Sequence, residues 1–219
     1  MFIHKFKCIV KFIFLFLQNQ KFFTMKFSLF LILVLVSFSS CKKRGCTDPD
    51  ALNFQESAAK DDHSCYYFWI GQKSQGGRVF YIDPSKKHGL IAADFDLENT
   101  QWGCYSDSIK VAGINDVSVG SGNSNSQTIA NLCGYETAAG KCLLLDTFGF
   151  DDWYLPSMEE MRGVSENLGK VGQGNLTTDY YWTSTQVNAK EAYLIMNANR
   201  SPAILAKGVP YHVRPIRSF

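Results

Sequence analysis

Histidine is scarce in this chain, with four in 219 residues, and what is missing narrows the chemistry before anything present is weighed. No H-E-x-x-H, H-x3-H or C-x2-C spacing occurs, so zinc has no ligand motif to occupy. There is no G-x-S-x-G nucleophile turn and no G-x-x-x-x-G-K-[ST] phosphate loop; Gly76-Gly77 precedes a strand, but no helix signal follows. Glu159 and Glu160 are adjacent on a helix, about 100° apart around its axis, and cannot flank one reacting bond. Membrane-length apolar runs are missing too: residues 27–38 form a run of about a dozen, short of the ~20 a bilayer requires. Residues 1–40 hold five lysines and no acid, which leaves 17 basic against 20 acidic residues, a net charge of −3. A polyanion binder needs a clustered basic excess, so no nucleic-acid partner is expected.

What is present begins with an export signal. Lys26, the apolar run and Ser39-Ser40-Cys41 make a signal peptide over residues 1–40. The ending SFSSC resembles a bacterial lipoprotein box, with Phe38 where that box usually has Leu, so Cys41 is the expected lipidation site. Residues 1–24 form a second basic-apolar segment in front of a complete signal. They read as a mis-called start with Met25 the initiator; a membrane anchor is the alternative, though Gln18, Asn19, Gln20 and Lys21 interrupt it. The expected location is the cell envelope, lipid-anchored at the outer membrane or cell surface, or secreted.

Five cysteines remain for an oxidising compartment: Cys46, Cys65, Cys104, Cys133 and Cys142. The stretch GCTDPDALNFQESAAKDDHSC resembles a short repeat of secreted and surface proteins of the Bacteroidetes, with His63 where the repeat has Gly. A Cys46–Cys65 bridge would close it, worth ~3 kcal/mol in the chain-entropy model, so residues 41–65 are expected to form a lipidated, disulfide-closed module. Asp48, Asp50, Asn53, Asp61 and Asp62 offer the oxygen ligands calcium takes, although not at EF-hand spacing; turn and cap roles are the competing reading. No other cofactor is expected. Cys133 and Cys142, either side of Gly134, can bridge locally and leave Cys104 odd; Cys104–Cys133 is the competing pair.

Residues 66–70 read as a link into the main domain, 66–219. Residues 78–82 and 89–93 form a hairpin around Asp83-Pro84. Residues 111–126 are rich in Gly, Ser and Asn and read as a surface loop. Tyr135 opens a second helical stretch, with Ala138, Ala139, Cys142 and Leu143 packed inward. The most specific stretch is DDWYLPSMEEMRGVSENLGK, followed by YYWTST. Ser157 and Glu160 form a capping box, and Met158, Met161, Val164 and Leu168 share one helix face. A hairpin around residues 197–202 and a closing strand over residues 211–217 complete the chain.

DWYLPSMEEM, YYWTST and the terminal VRPIRSF, with IGQKSQGGRVFYID, HGLIAA and QWGCY upstream, resemble the Lcl C-terminal domain family over roughly residues 70–219. In the resembling family the Gly/Ser/Asn-rich region leads into a helix, which would start near Gln127. The resemblance implies an α+β, C-type-lectin-like fold: a small mixed sheet, one or two helices and long loops. It implies surface binding or adhesion, and no reaction. The calcium-binding EPN and WND triplets of C-type lectins are absent.

A local basic excess points to a binding face. From residue 187 onward Lys190, Arg200, Lys207, Arg214 and Arg217 stand against Glu191 alone. Arg214 and Arg217 are expected to be partly structural, pairing with Asp151 or Asp152. Lys190, Arg200 and Lys207 are the expected ligand contacts, for an anionic glycan or acidic protein patch, with Tyr181 and Trp182 as stacking aromatics. The expected function is therefore a surface lipoprotein with a binding domain for a glycan or a matrix-like or surface protein. The alternatives are a cryptic enzyme acting on envelope polymers and a structural accessory subunit.

Overall fold

The computed structural model describes residues 42–105 and 115–219. The signal peptide, the start at Met25 and the lipidation site Cys41 lie outside the described residues. The chain divides into two compact units. The described part of the first is residues 42–47 and 55–63, where β1 (Arg44–Gly45) pairs in parallel with β2 (Lys60–Asp61). Lys43 Nζ donates to Ser57 Oγ at 2.7 Å, and the Gln55 amide donates to the Cys46 carbonyl at 2.9 Å. Residues 48–54 belong with residues 64–219 in the second unit, so the stretch 41–65 contributes to both. Cys46 and Cys65 are both disulfide-bonded.

The second unit is α+β, as expected, with mixed sheets, short helices and long loops. A four-stranded antiparallel sheet, in order β11-β5-β4-β3, contains β3 (Lys73–Ser74), β4 (Gly77–Ile82), β5 (Gly89–Ala93) and β11 (Ile216–Ser218). A five-stranded sheet, in order β6-β10-β7-β8-β9, contains β6 (Leu97–Thr100), β7 (Tyr180–Gln186), β8 (Glu191–Met196), β9 (Ser201–Ala206) and β10 (Tyr211–Val213). This sheet is mixed, since β10 runs parallel to β7 while its other pairings are antiparallel. The expected single closing strand is split. Pro215 has no N–H for a ladder, and β10 and β11 on either side of Arg214-Pro215 join different sheets. Pro202 is tolerated in β9 because β9 is an edge strand.

Among the described residues three α-helices cover the sheets: α1 (Gly122–Cys133), α2 (Ala138–Leu143) and α3 (Met158–Asn167). The capping box of α3 forms as read: Ser157 Oγ accepts from the Glu160 amide, and Glu160 Oε2 accepts from the Ser157 amide at 2.7 Å. Met161, Val164 and Leu168 are fully buried on one face, against Phe80, Tyr181 and Ile195. Glu160 is itself buried, and Gly120 N–H donates to its Oε1 at 2.8 Å, so the cap of α3 also holds the approach to α1.

Helix α1 corrects the reading of residues 111–126 as loop up to Ser126, because it starts at Gly122. Two of the polar residues that signalled a surface, Asn125 and Ser126, are buried and work inward. The Ser126 hydroxyl donates to the Leu155 carbonyl and accepts from the Leu155 amide, and Asn125 Nδ2 donates to the Asp116 carbonyl. Gly122 is needed there: a Cβ would lie 2.1 Å from Glu160 Oε2. Residues 106–114 lie outside the described residues.

The cysteine pairing takes the other of the two routes. Cys104 bonds Cys133, with Cα atoms 5.2 Å apart, and Cys142 is a free thiol. Cys142 lies with Ala138 and Ala139 on the buried face of α2, packed into the cluster around Trp102, Leu155 and Trp182. Burial pushes its thiol pKa upward, so it behaves as a small apolar filler.

Candidate functional site

The four tryptophans separate the interior of the second unit from its exposed chemistry. Trp102, Trp153 and Trp182 are fully buried, and each donates its indole N–H to a backbone carbonyl: to Thr183 at 2.8 Å, Phe150 at 3.1 Å and Thr100 at 2.8 Å. Trp69 differs on both counts. It is 57% exposed, and its indole N–H has no partner among the described residues.

Trp69 has an exposed neighbour. Tyr66, 42% exposed, stands 6.4 Å from it ring to ring with the planes at 86°. One residue, Gln72, ties the pair together. Its Oε1 accepts from the Trp69 amide at 3.1 Å, its amide donates to the Trp69 carbonyl at 3.1 Å, and its Nε2 donates to the Tyr66 hydroxyl. The backbone of Tyr66 is fixed as well, since its amide donates to Asn53 Oδ1 and its carbonyl accepts from Leu52. Gly71, at φ +87°, lets the chain turn between Trp69 and Gln72. Residues 66–70, expected only to link, thus present a braced pair of exposed rings. The one signal was the run of four aromatics at residues 66–69, which also fits a buried strand.

The expected basic face is not assembled. Lys207 is 0% exposed; its Nζ donates to Gln186 Oε1 at 2.7 Å and lies 4.1 Å from the centre of the Trp102 ring. Desolvation lowers its pKa to about 8. Lys190 is exposed beside the start of β8, while Arg200 is half-buried beyond the far end of that strand, so roughly 20 Å of strand separates them. Tyr181 and Trp182 are core residues and cannot stack on a ligand. Lys207, an expected ligand contact at a strand end, follows the last residue of β9, Ala206, and turns inward.

The two motif arginines are braces. Arg217 pairs with Asp152 through Nε at 2.7 Å and Nη2 at 2.9 Å, bonds Gln75, and stacks 3.9 Å over the Phe150 ring. Arg214 turns to Asp96 rather than to either expected aspartate, at 2.6 Å, and donates to the carbonyls of Ala93, Gly174 and Asn175. His212 lies beside this pair, its ring nitrogens 3.7 Å from carboxylate oxygens of Asp96 and Asp179. The Tyr181 hydroxyl also donates to Asp96, at 2.9 Å. These groups engage one another and hold residues 174–179 against the sheet. A separate open cleft of about 410 Å³ contains Asp83, His88, Ser218 and Phe219 in its lining. There Asp83 Oδ1 accepts from the Ser85 hydroxyl, which lowers the Asp83 pKa, and Ser218 Oγ is 3.3 Å from the Tyr154 hydroxyl.

The calcium candidates act as turn and brace residues. Asp48 caps the Asp50 amide and accepts from the Tyr67 hydroxyl; Asp50 pairs with Lys86 at 3.0 Å; Asn53 bonds Ser64 and Tyr66. Asp61 accepts from the His63 amide, and Asp62 is exposed in the first unit. Among the described residues no group of three or more His, Cys, Asp or Glu side chains could hold a metal ion. No helix of the described residues is long and apolar enough to cross a membrane.

No family model matches the chain, and no curated protein matches it. A fimbrial protein from Bacteroides ovatus of known structure is similar at 12% identity and a TM-score of 0.41, over 75% of this chain and 50% of that one. This chain therefore spans about half the length of that protein.

Proposed function

We propose that this chain is a cell-envelope surface protein, lipid-anchored through Cys41 or secreted, whose larger unit binds an extracellular ligand in adhesion. The export signal and the resemblance to the Lcl C-terminal domain support the location and the kind of role. The observation that carries the binding role is Trp69, an exposed tryptophan with an unbonded indole N–H, held in place by Gln72 beside Tyr66. Burying such a ring on folding would stabilise the unit, and the three other tryptophans do so. A ring on a hydrogen-bonded backbone, with its faces outside, is suited to contact a ligand at reduced entropic cost.

An array of glycans and matrix proteins probed with the purified exported chain tests this reading. Binding to at least one class is expected, and Trp69→Ala is expected to abolish it without unfolding the protein. Binding that Trp69→Ala leaves intact would contradict the proposal.

A further inference from the structure

We infer that Trp69 and Tyr66 form a stacking site for a neutral saccharide, an assignment that rests on the binding role proposed above. Four observations lead there. The rings stand perpendicular with both exposed, which makes an open corner rather than a slot between parallel faces. A pyranose has one flat face of C–H bonds, and such a face packs on one aromatic ring while the sugar edge meets the other.

The hydrogen-bonding polarity of the corner is one-sided. Because Gln72 Nε2 donates to the Tyr66 oxygen, the phenolic proton remains available to donate outward. The Trp69 indole can only donate. The corner thus offers donors, and sugar hydroxyl and ring oxygens accept.

The corner is also preorganised. Gln72, Asn53 and Leu52 fix the backbones of both aromatic residues, and Gln72 also holds the Tyr66 hydroxyl, so less freedom is lost on binding.

The fourth observation is electrostatic. On the flanking segments 48–54 and 73–94 the cations Lys73, Arg78, Lys86 and Lys87 are matched in number by Asp48, Asp50, Asp83 and Asp94, with Lys86 on Asp50 at 3.0 Å and Arg78 and Lys73 sharing Asp94 at 2.9 and 3.6 Å. No excess of one sign is left to select an anionic or cationic ligand. Together with the dispersed Lys190 and Arg200 and the buried Lys207, this favours a neutral sugar over a sulfated one.

The test is a titration of the full exported chain with neutral oligosaccharides (gluco-, xylo- and N-acetylglucosamine series), read by tryptophan fluorescence and by calorimetry. At least one series is expected to bind and to perturb emission, because Trp69 is the exposed indole. Trp69→Ala should weaken binding about 30-fold, the scale of a hot-spot aromatic, and Tyr66→Phe should weaken it only a few-fold, while both variants stay folded at the temperature of the titration. Raising NaCl from about 0.01 M to about 1 M, which shortens the Debye length from about 30 to about 3 Å, should leave affinity unchanged. Salt-sensitive binding of a sulfated glycan indifferent to Trp69→Ala would overturn both this assignment and the binding role of Trp69. Trp69-dependent capture of a purified matrix protein, with none of the neutral sugars bound, would overturn the saccharide and leave the surface-binding role standing.

Discussion

The interior around Trp102 and Trp182 and the rim at Trp69 are built from the same residue type under opposite rules. Inside, each indole is covered and its N–H is bonded to a carbonyl: Trp182 of β7 reaches Thr100 of β6, and Trp102, just past β6, reaches Thr183 of β7. At the rim, the bracing reaches the backbone of Trp69 and the hydroxyl of Tyr66, while the ring faces remain in solvent. The lesson is that rigidity and burial are separable. A surface can be fixed by hydrogen bonds from beneath, and such a surface is available to a partner.

Substitutions should break this comparison in a definite order. The largest loss is expected from Trp182→Ala, which opens a cavity in the core cluster around Trp102 and Leu155 and should cost ~3–5 kcal/mol, measured by chemical denaturation. Arg214→Met comes next, at roughly 3 kcal/mol, since Asp96 and three carbonyls lose a fully buried partner. Reduction of Cys104–Cys133, which lie 29 residues apart, should cost about 3 kcal/mol, while iodoacetamide should not label Cys142 until the protein unfolds.

Lys207 sharpens the comparison by pH. Its folded pKa of about 8 lies below its ordinary value of 10.5, so between those values the unfolded chain holds the proton that the folded chain has released. Stability should therefore rise as pH increases from about 8 to about 10.5. Lys207→Met should remove that rise, and melting temperature against pH is the check. A parent whose stability is flat across the window, after subtraction of the variant, would place the amine in water.

Much of the interior was legible in the sequence, because local rules and tertiary needs agree there. The S-x-x-E box and the periodic Met161, Val164 and Leu168 produced α3 as read, and the two main hairpins follow their turn residues. Arg217 found Asp152. Reading failed where a distant partner reversed a local signal. Asn125 and Ser126 looked like loop and became buried ligands of backbone groups around residues 116 and 155. Lys207 looked like surface and slid beneath Trp102. Trp69 lay hidden because an aromatic run predicts burial, and its exposure is set by Gln72 and the turn at Gly71, which no periodicity encodes.

The smallest expected effect on stability carries the most weight. Trp69→Ala should change unfolding free energy by roughly 1–2 kcal/mol, the worth of the part of its ring that is covered, while removing ligand binding on the array. Measured side by side with Trp182→Ala, it should show intact folding and lost binding. A Trp69→Ala protein that unfolds as readily as Trp182→Ala, or that binds as the parent does, would contradict the account.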